Sequence, residues 1–169
     1  MAGNAITQPG WNPLVSDQHG NAATVSIPAR PEGLWTKVAD FIPATRKLKI
    51  VVTGNSLWAY DPEKASCGPE GVVREATGLL VPSAAVGCLV GKVGGSTADN
   101  TAPPAAAAGG GGSAPSIALP SLFVFAAGSF CMVQVADKVS GPLFLTMNDA
   151  AANFSKHVGA LTVQVFEAA

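Results

Sequence analysis

The chain has 169 residues, a formal net charge of −1, 12% charged and 48% hydrophobic residues, and is rich in Gly (19) and Pro (13). This profile excludes a disordered chain and a helical bundle. With the positive charge spread thin, it also excludes a nucleic-acid footprint; the densest cluster, Arg46-Lys47-Lys49, reads as a solvated turn.

A chain this long can bury a single sizeable core. Its beginning, MAGNAITQPGWNPLV, has neither the basic region nor the apolar core of a signal peptide, and no run approaches the ~18 apolar residues of a membrane span. The expectation is a soluble chain made in the cytoplasm, with a virion or an exported assembly as a fitting setting.

Residues 1–33 read as an extended N-terminal arm, punctuated by Pro9, Gly10, Pro13, Gly20, Pro28 and Pro31. Within it AATVSIPA makes one short edge strand ended by Pro28. Such an arm packs on its own domain or reaches another subunit. A globular unit is expected from Leu34 to the end, over 34–169. LWTKVADFI reads equally as a strand or a short helical turn, because periodicity does not decide between them. KLKIVVT alternates, with Leu48, Ile50 and Val52 on one face, and Gly54-Asn55 is a natural bend. GLLVPSAAVGCLVGKVGG predicts two strands broken at Pro82-Ser83, and its GKVGGS end reads as a hairpin end rather than a phosphate loop. Residues 94–116 form a low-complexity Gly/Ala/Pro-rich insertion, read as a flexible surface segment or as one that orders on a partner. SLFVFAAG, FCMVQVADK, GPLFLTMND and GALTVQVFEA follow as strands. The prediction is an all-β fold, a jelly-roll-like antiparallel sandwich of about eight strands in two sheets.

Catalytic signals are sparse. Neither a GxSxG elbow nor a P-loop is present. Asp149 has no obvious carboxylate partner, and Asp61, Glu63, Glu70 and Glu75 read as turn residues. Cys67, Cys88 and Cys131 are an odd set without zinc spacing and read as buried thiols, with a Cys67–Cys88 disulfide left open. No enzyme is expected. Trp35 and Trp58 lie within apolar patterns and read as core, although, with Trp11, they could also offer faces to sugar rings.

The core segments LWTKVADFI, KLKIVVTGNSLWAYDP, CGPEG, GCLVGKVGG, SGPLFLTMND and VGALTVQV, in that order, resemble the PA-I type galactophilic lectin family over residues 34–169, interrupted by 94–116. The resemblance implies a small jelly-roll-like β-sandwich that binds galactose through calcium. There a tyrosine carbonyl, an Asp, a Thr carbonyl and two Asn side chains hold the ion, an oxygen-rich shell that suits a hard cation. Position by position, Tyr60 falls on the tyrosine, Asp149 on the Asp and Asn153 on the Thr. Lys156 and His157 fall on the two Asn, and REATGLL replaces the His-Pro-x-Gln segment that embraces the sugar.

Lysine offers no acceptor lone pair while protonated. At ~4 Å and an effective dielectric near 20, its charge repels a divalent ion by roughly 8 kcal/mol. The expectation is therefore a degenerate site without calcium, in which Lys156 pairs with Asp149 and holds the loop shut. Two functions follow. The first is a non-catalytic structural or attachment module, such as a virion decoration protein, homo-oligomeric and docked to the subunits of a larger assembly through its arm and insertion. The alternative is a galactose-type carbohydrate-binding lectin module that takes glycans with calcium or metal-free.

Overall fold

A computed structural model gives the structure of the chain and describes residues 10–99, 101 and 122–169. The bulk of the 94–116 insertion lies outside the described residues. Eleven strands are present among them: β1 (Trp11–Pro13), β2 (Val25–Pro28), β3 (Thr36–Ile42), β4 (Lys47–Thr53), β5 (Trp58–Ala59), β6 (Glu70–Val72), β7 (Val86–Val93), β8 (Phe123–Ala126), β9 (Phe130–Gln134), β10 (Gly141–Met147) and β11 (Val158–Ala168). Eight of these have four residues or more, in keeping with the expected number. One 3-10 helix, Ala151–Lys156, links β10 to β11.

The fold is an all-β sandwich of two antiparallel sheets. One runs β1-β11-β4-β9, with β2 and β5 also pairing with β11; the other runs β3-β10-β7-β6, with β8 on β7. The long β11 organises the first sheet because Leu161, Val163 and Val165 alternate inward while its backbone serves four neighbours in turn. Leu48 and Ile50 of β4 meet Leu143, Leu145 and Met147 of β10 in the shared core.

β7 and β10 do not alternate in polarity, and the packing explains why. Leu89, Val93, Leu143 and Leu145 face the other sheet, while Cys88, Val90 and Phe144 face a second cluster with Trp35, Leu80, Val81 and Phe154. Strands covered on both faces read as continuous apolar runs.

One expected strand is absent here, and two open alternatives are decided among the described residues. The stretch before Pro82-Ser83 is not a strand: residues 79–85 are a loop held by the fully buried Asn148. Asn148 Nδ2 donates to Val81 O, Ala84 O and Ala85 O at 3.0–3.1 Å, and its Oδ1 accepts from Val81 N at 2.9 Å, so one amide does the work of a strand partner. LWTKVADFI resolves to the strand β3. The described part of the arm packs on its own domain: β1 and β2 both pair with β11, and Ile27 and Ala29 are fully buried, so the core begins before Leu34. Trp35 and Trp58 are core, each 1% exposed.

Candidate functional site

The site residues converge at the end of the sandwich where β11 begins. β5 pairs Trp58 with Gly159 and Ala59 with Val158, which delivers Tyr60 to this end. β10 delivers Asp149 two residues past Met147, and the 3-10 helix brings Asn153 and Lys156 back over it. Gly159 makes this approach possible. Its φ is +92°, and a Cβ there would lie 2.9 Å from Leu57 O and from Trp58 Cα. Gly159→Ala is expected to cost about 2 kcal/mol or more, read as a lowered urea midpoint with an unchanged slope.

A cleft of about 110 Å³ opens here, lined by Tyr60, Asp61, Arg74, Asp149, Asn153 and Lys156. Four of the five family positions therefore line one cleft. The fifth, His157, does not: it is 2% exposed beneath the surface. Its Nδ1 donates to Ala29 O at 3.0 Å, and its Nε2 lies 3.1 Å from Asp149 Oδ2. A carbonyl only accepts, so Nδ1 is the donor of that bond.

The other carboxylate oxygen, Asp149 Oδ1, accepts from Ala150 N at 2.7 Å and Asn153 Nδ2 at 2.9 Å. Burial alone would raise the Asp149 carboxyl, but the hydrogen bonds from His157, Asn153 and Ala150 outweigh it and hold it below the ordinary carboxylate value. The expected pairing of Lys156 with Asp149 is corrected. His157 takes that place, because its ring reaches the carboxylate from below, while the Lys156 side chain is exposed and makes no ion pair among the described residues.

Arg74 was missed by sequence reasoning. It follows β6, lies in the REATGLL segment, and sets its guanidinium 4.8 Å from the centre of the Tyr60 ring. Asp61 was read as a turn residue, and it is one: its Oδ1 accepts from Glu63 N at 3.0 Å even as the side chain lines the cleft. Asn148 and Asp149 together answer what NDAAANFSKH is built for, since both side chains hold backbone or side-chain groups of this domain. A cleft at the opposite end, walled by residues 43–47 and 168–169, offers less chemistry. Its Arg46 is already engaged by Glu167 at 3.3 Å and by Ala168 O at 3.1 Å.

The donors on offer to a hard cation are few. Both oxygens of Asp149 are engaged, the Asn153 amide nitrogen faces that carboxylate, and two cationic side chains share the cleft. Acid–base chemistry finds little purchase either, because both nitrogens of His157 are occupied and buried. The three cysteines are free thiols. Burial raises each of them, Cys131 to about 11, which leaves no thiolate nucleophile near neutral pH.

A solved structure described as "EclA N-terminal domain; PllA-like lectin" is similar to this chain over 85% of its length and 94% of that chain, with a TM-score of 0.53 at 15% sequence identity. At that identity the likeness establishes the fold alone, a β-sandwich. No family model matches the sequence, and no curated protein matches it.

Proposed function

We propose that this chain is a non-catalytic, lectin-like recognition module that binds saccharide without calcium at the cleft between Tyr60, Arg74, Asp149 and Lys156. One observation carries the reading: Asp149, the carboxylate on which a metal would depend, is already satisfied by His157, Asn153 and Ala150. Calcium needs six to eight oxygens, and this set does not fit it. The lectin-like fold and the PA-I type resemblance on KLKIVVTGNSLWAYDP and SGPLFLTMND support saccharide as the ligand class. Trp35 and Trp58 are buried and cannot stack on a ring, and Trp11 pairs with Ala168 at the other end of β11 with Lys49 against its ring, which leaves Tyr60 and Arg74 as the surface a sugar would meet at the cleft.

A glycan array run in EDTA and again in millimolar calcium tests this. The expected result is the same pattern of bound glycans in both. Binding that appears only with calcium would overturn it.

A second reading, an attachment module of a larger assembly, is favoured by β9. This strand ends the path of the first sheet, and Phe130 and Met132 are 55% and 63% exposed. An exposed edge carrying apolar side chains is a ready template for another chain. Light scattering at rising concentration tests it: mass growth that Met132→Lys abolishes supports a homo-oligomer, and a constant monomer mass counts against one.

A further inference from the structure

We infer that the ligand of this cleft is an anionic saccharide, one that places a carboxylate or sulfate between Lys156 and Arg74. The inference rests on the recognition reading above and adds the charge of the ligand to it.

The charges of the cleft can be accounted for one by one. The Asp149 carboxylate is buried and turned inward to His157, Asn153 and Ala150 N. That leaves two exposed cations, Lys156 and Arg74, beside the second carboxylate of the lining, Asp61, which already accepts from Glu63 N. Neither cation makes an ion pair or a hydrogen bond to another side chain among the described residues; Arg74 is instead laid on the Tyr60 ring. A guanidinium laid on an aromatic face still has N–H donors to offer a planar carboxylate or a sulfate. The usual role of a metal in orienting a sugar is thereby passed to two positive charges.

Size agrees with charge. The cleft's 110 Å³ is far below the ~300–1,000 Å³ of pockets that enclose a whole small molecule, so it takes a substituent rather than a ring. Beside it lies a larger cleft of about 450 Å³ that shares Asp61 and Lys156 and includes Arg30 and Glu63. The charged group enters the small cleft, and the sugar ring rests across Lys156 in the larger one. Arg30 is held there by its bond to Ser155 O at 3.1 Å.

Binding is measured by titration calorimetry in EDTA with four probes: galacturonate, galactose 6-sulfate, galactose and glucuronate. The variants are Lys156→Ala, Arg74→Ala, Lys156→Arg and the control Lys47→Ala. Lys47 stands at the far end of the sheet from the cleft, since β4 runs antiparallel to β11 and Lys47 lies next to the partner of Glu167. At least one anionic probe is expected to bind more tightly than galactose. Lys156→Ala and Arg74→Ala should each weaken it about tenfold or more, with Lys156→Arg retaining most of the affinity and Lys47→Ala unchanged. A preference for the 6-sulfate over both uronates identifies a sulfated source, and the reverse a uronate. Galactose binding as well as the anionic probes, indifferent to Lys156, would overturn this inference while leaving calcium-free recognition intact. An equal loss in Lys47→Ala would reduce the effect to overall charge and also overturn it. Binding by none of the probes would overturn both.

Discussion

Asp149→Ala is expected to destabilise the fold by roughly 3–5 kcal/mol, the cost of stranding one member of a buried pair. The carboxylate holds three groups at once: the His157 ring, the Asn153 amide and the Ala150 N–H. Its loss frees the turn that joins β10 to β11, and β11 is the strand on which β1, β2, β4 and β5 all depend. Urea unfolding followed by Trp fluorescence measures it. A loss below about 1 kcal/mol would mean that the pair contributes no more than an exposed one.

The same group sets an acid limit. Because the Asp149 carboxyl lies below its ordinary value of 3.8 in the folded chain, its contribution is complete above that value and drains away as the pH falls through the folded one. Melting temperature between pH 6 and pH 3 is expected to drop steeply only at the acid end. Asp149→Asn should flatten that drop, and its melting temperature should not respond to calcium.

The second large effect concerns Lys92, which no sequence pattern flagged. It is 0% exposed, with its ammonium 2.6 Å from Ser96 O and 3.2 Å from Asp99 Oδ2, and about 5 Å from the centres of the Trp35 and Phe144 rings. Burial pushes the Lys92 amine down, against the pull of Asp99. Asp99→Ala is expected to cost roughly 3 kcal/mol, the low end for a broken buried pair because Asp99 itself is partly exposed. Lys92→Met fills the same space without a charge and is expected to stay within about 1.5 kcal/mol of the parent. Similar large losses from both variants would show that the charge itself, and not the packing of its stem, holds the segment down. This clamp fixes the start of the 94–116 insertion, since Trp35 Nε1 donates to Asp99 O and Leu34 N to Thr97 O, each at 2.8 Å.

What could be read from the residues follows the range of the interactions. β4, β9 and β11 were legible because each has one face in the core, so polarity alternates along the chain. The stretch before Pro82-Ser83 reads as a strand because Leu79, Leu80 and Val81 are buried as a strand's residues would be. What holds its backbone is a single amide, Asn148, 63–67 positions away. Tyr60, Asp149, Asn153 and Lys156 come together at one cleft, yet the partner of Asp149 is not the one expected from the chain order. Lys156 and His157 are neighbours in sequence, and only the 3-10 turn decides that one points outward and the other inward. Arg74 and Lys92 carried no local signal at all, since their roles depend on Tyr60, Trp35 and Phe144 arriving from other strands.

The most direct check is a crystal structure of the chain grown in millimolar calcium. The expected result is the His157 ring between Ala29 O and Asp149 Oδ2, with no ion on that carboxylate. A divalent ion bound jointly by Asp149 and the Tyr60 carbonyl, with the imidazole swung aside, would contradict it.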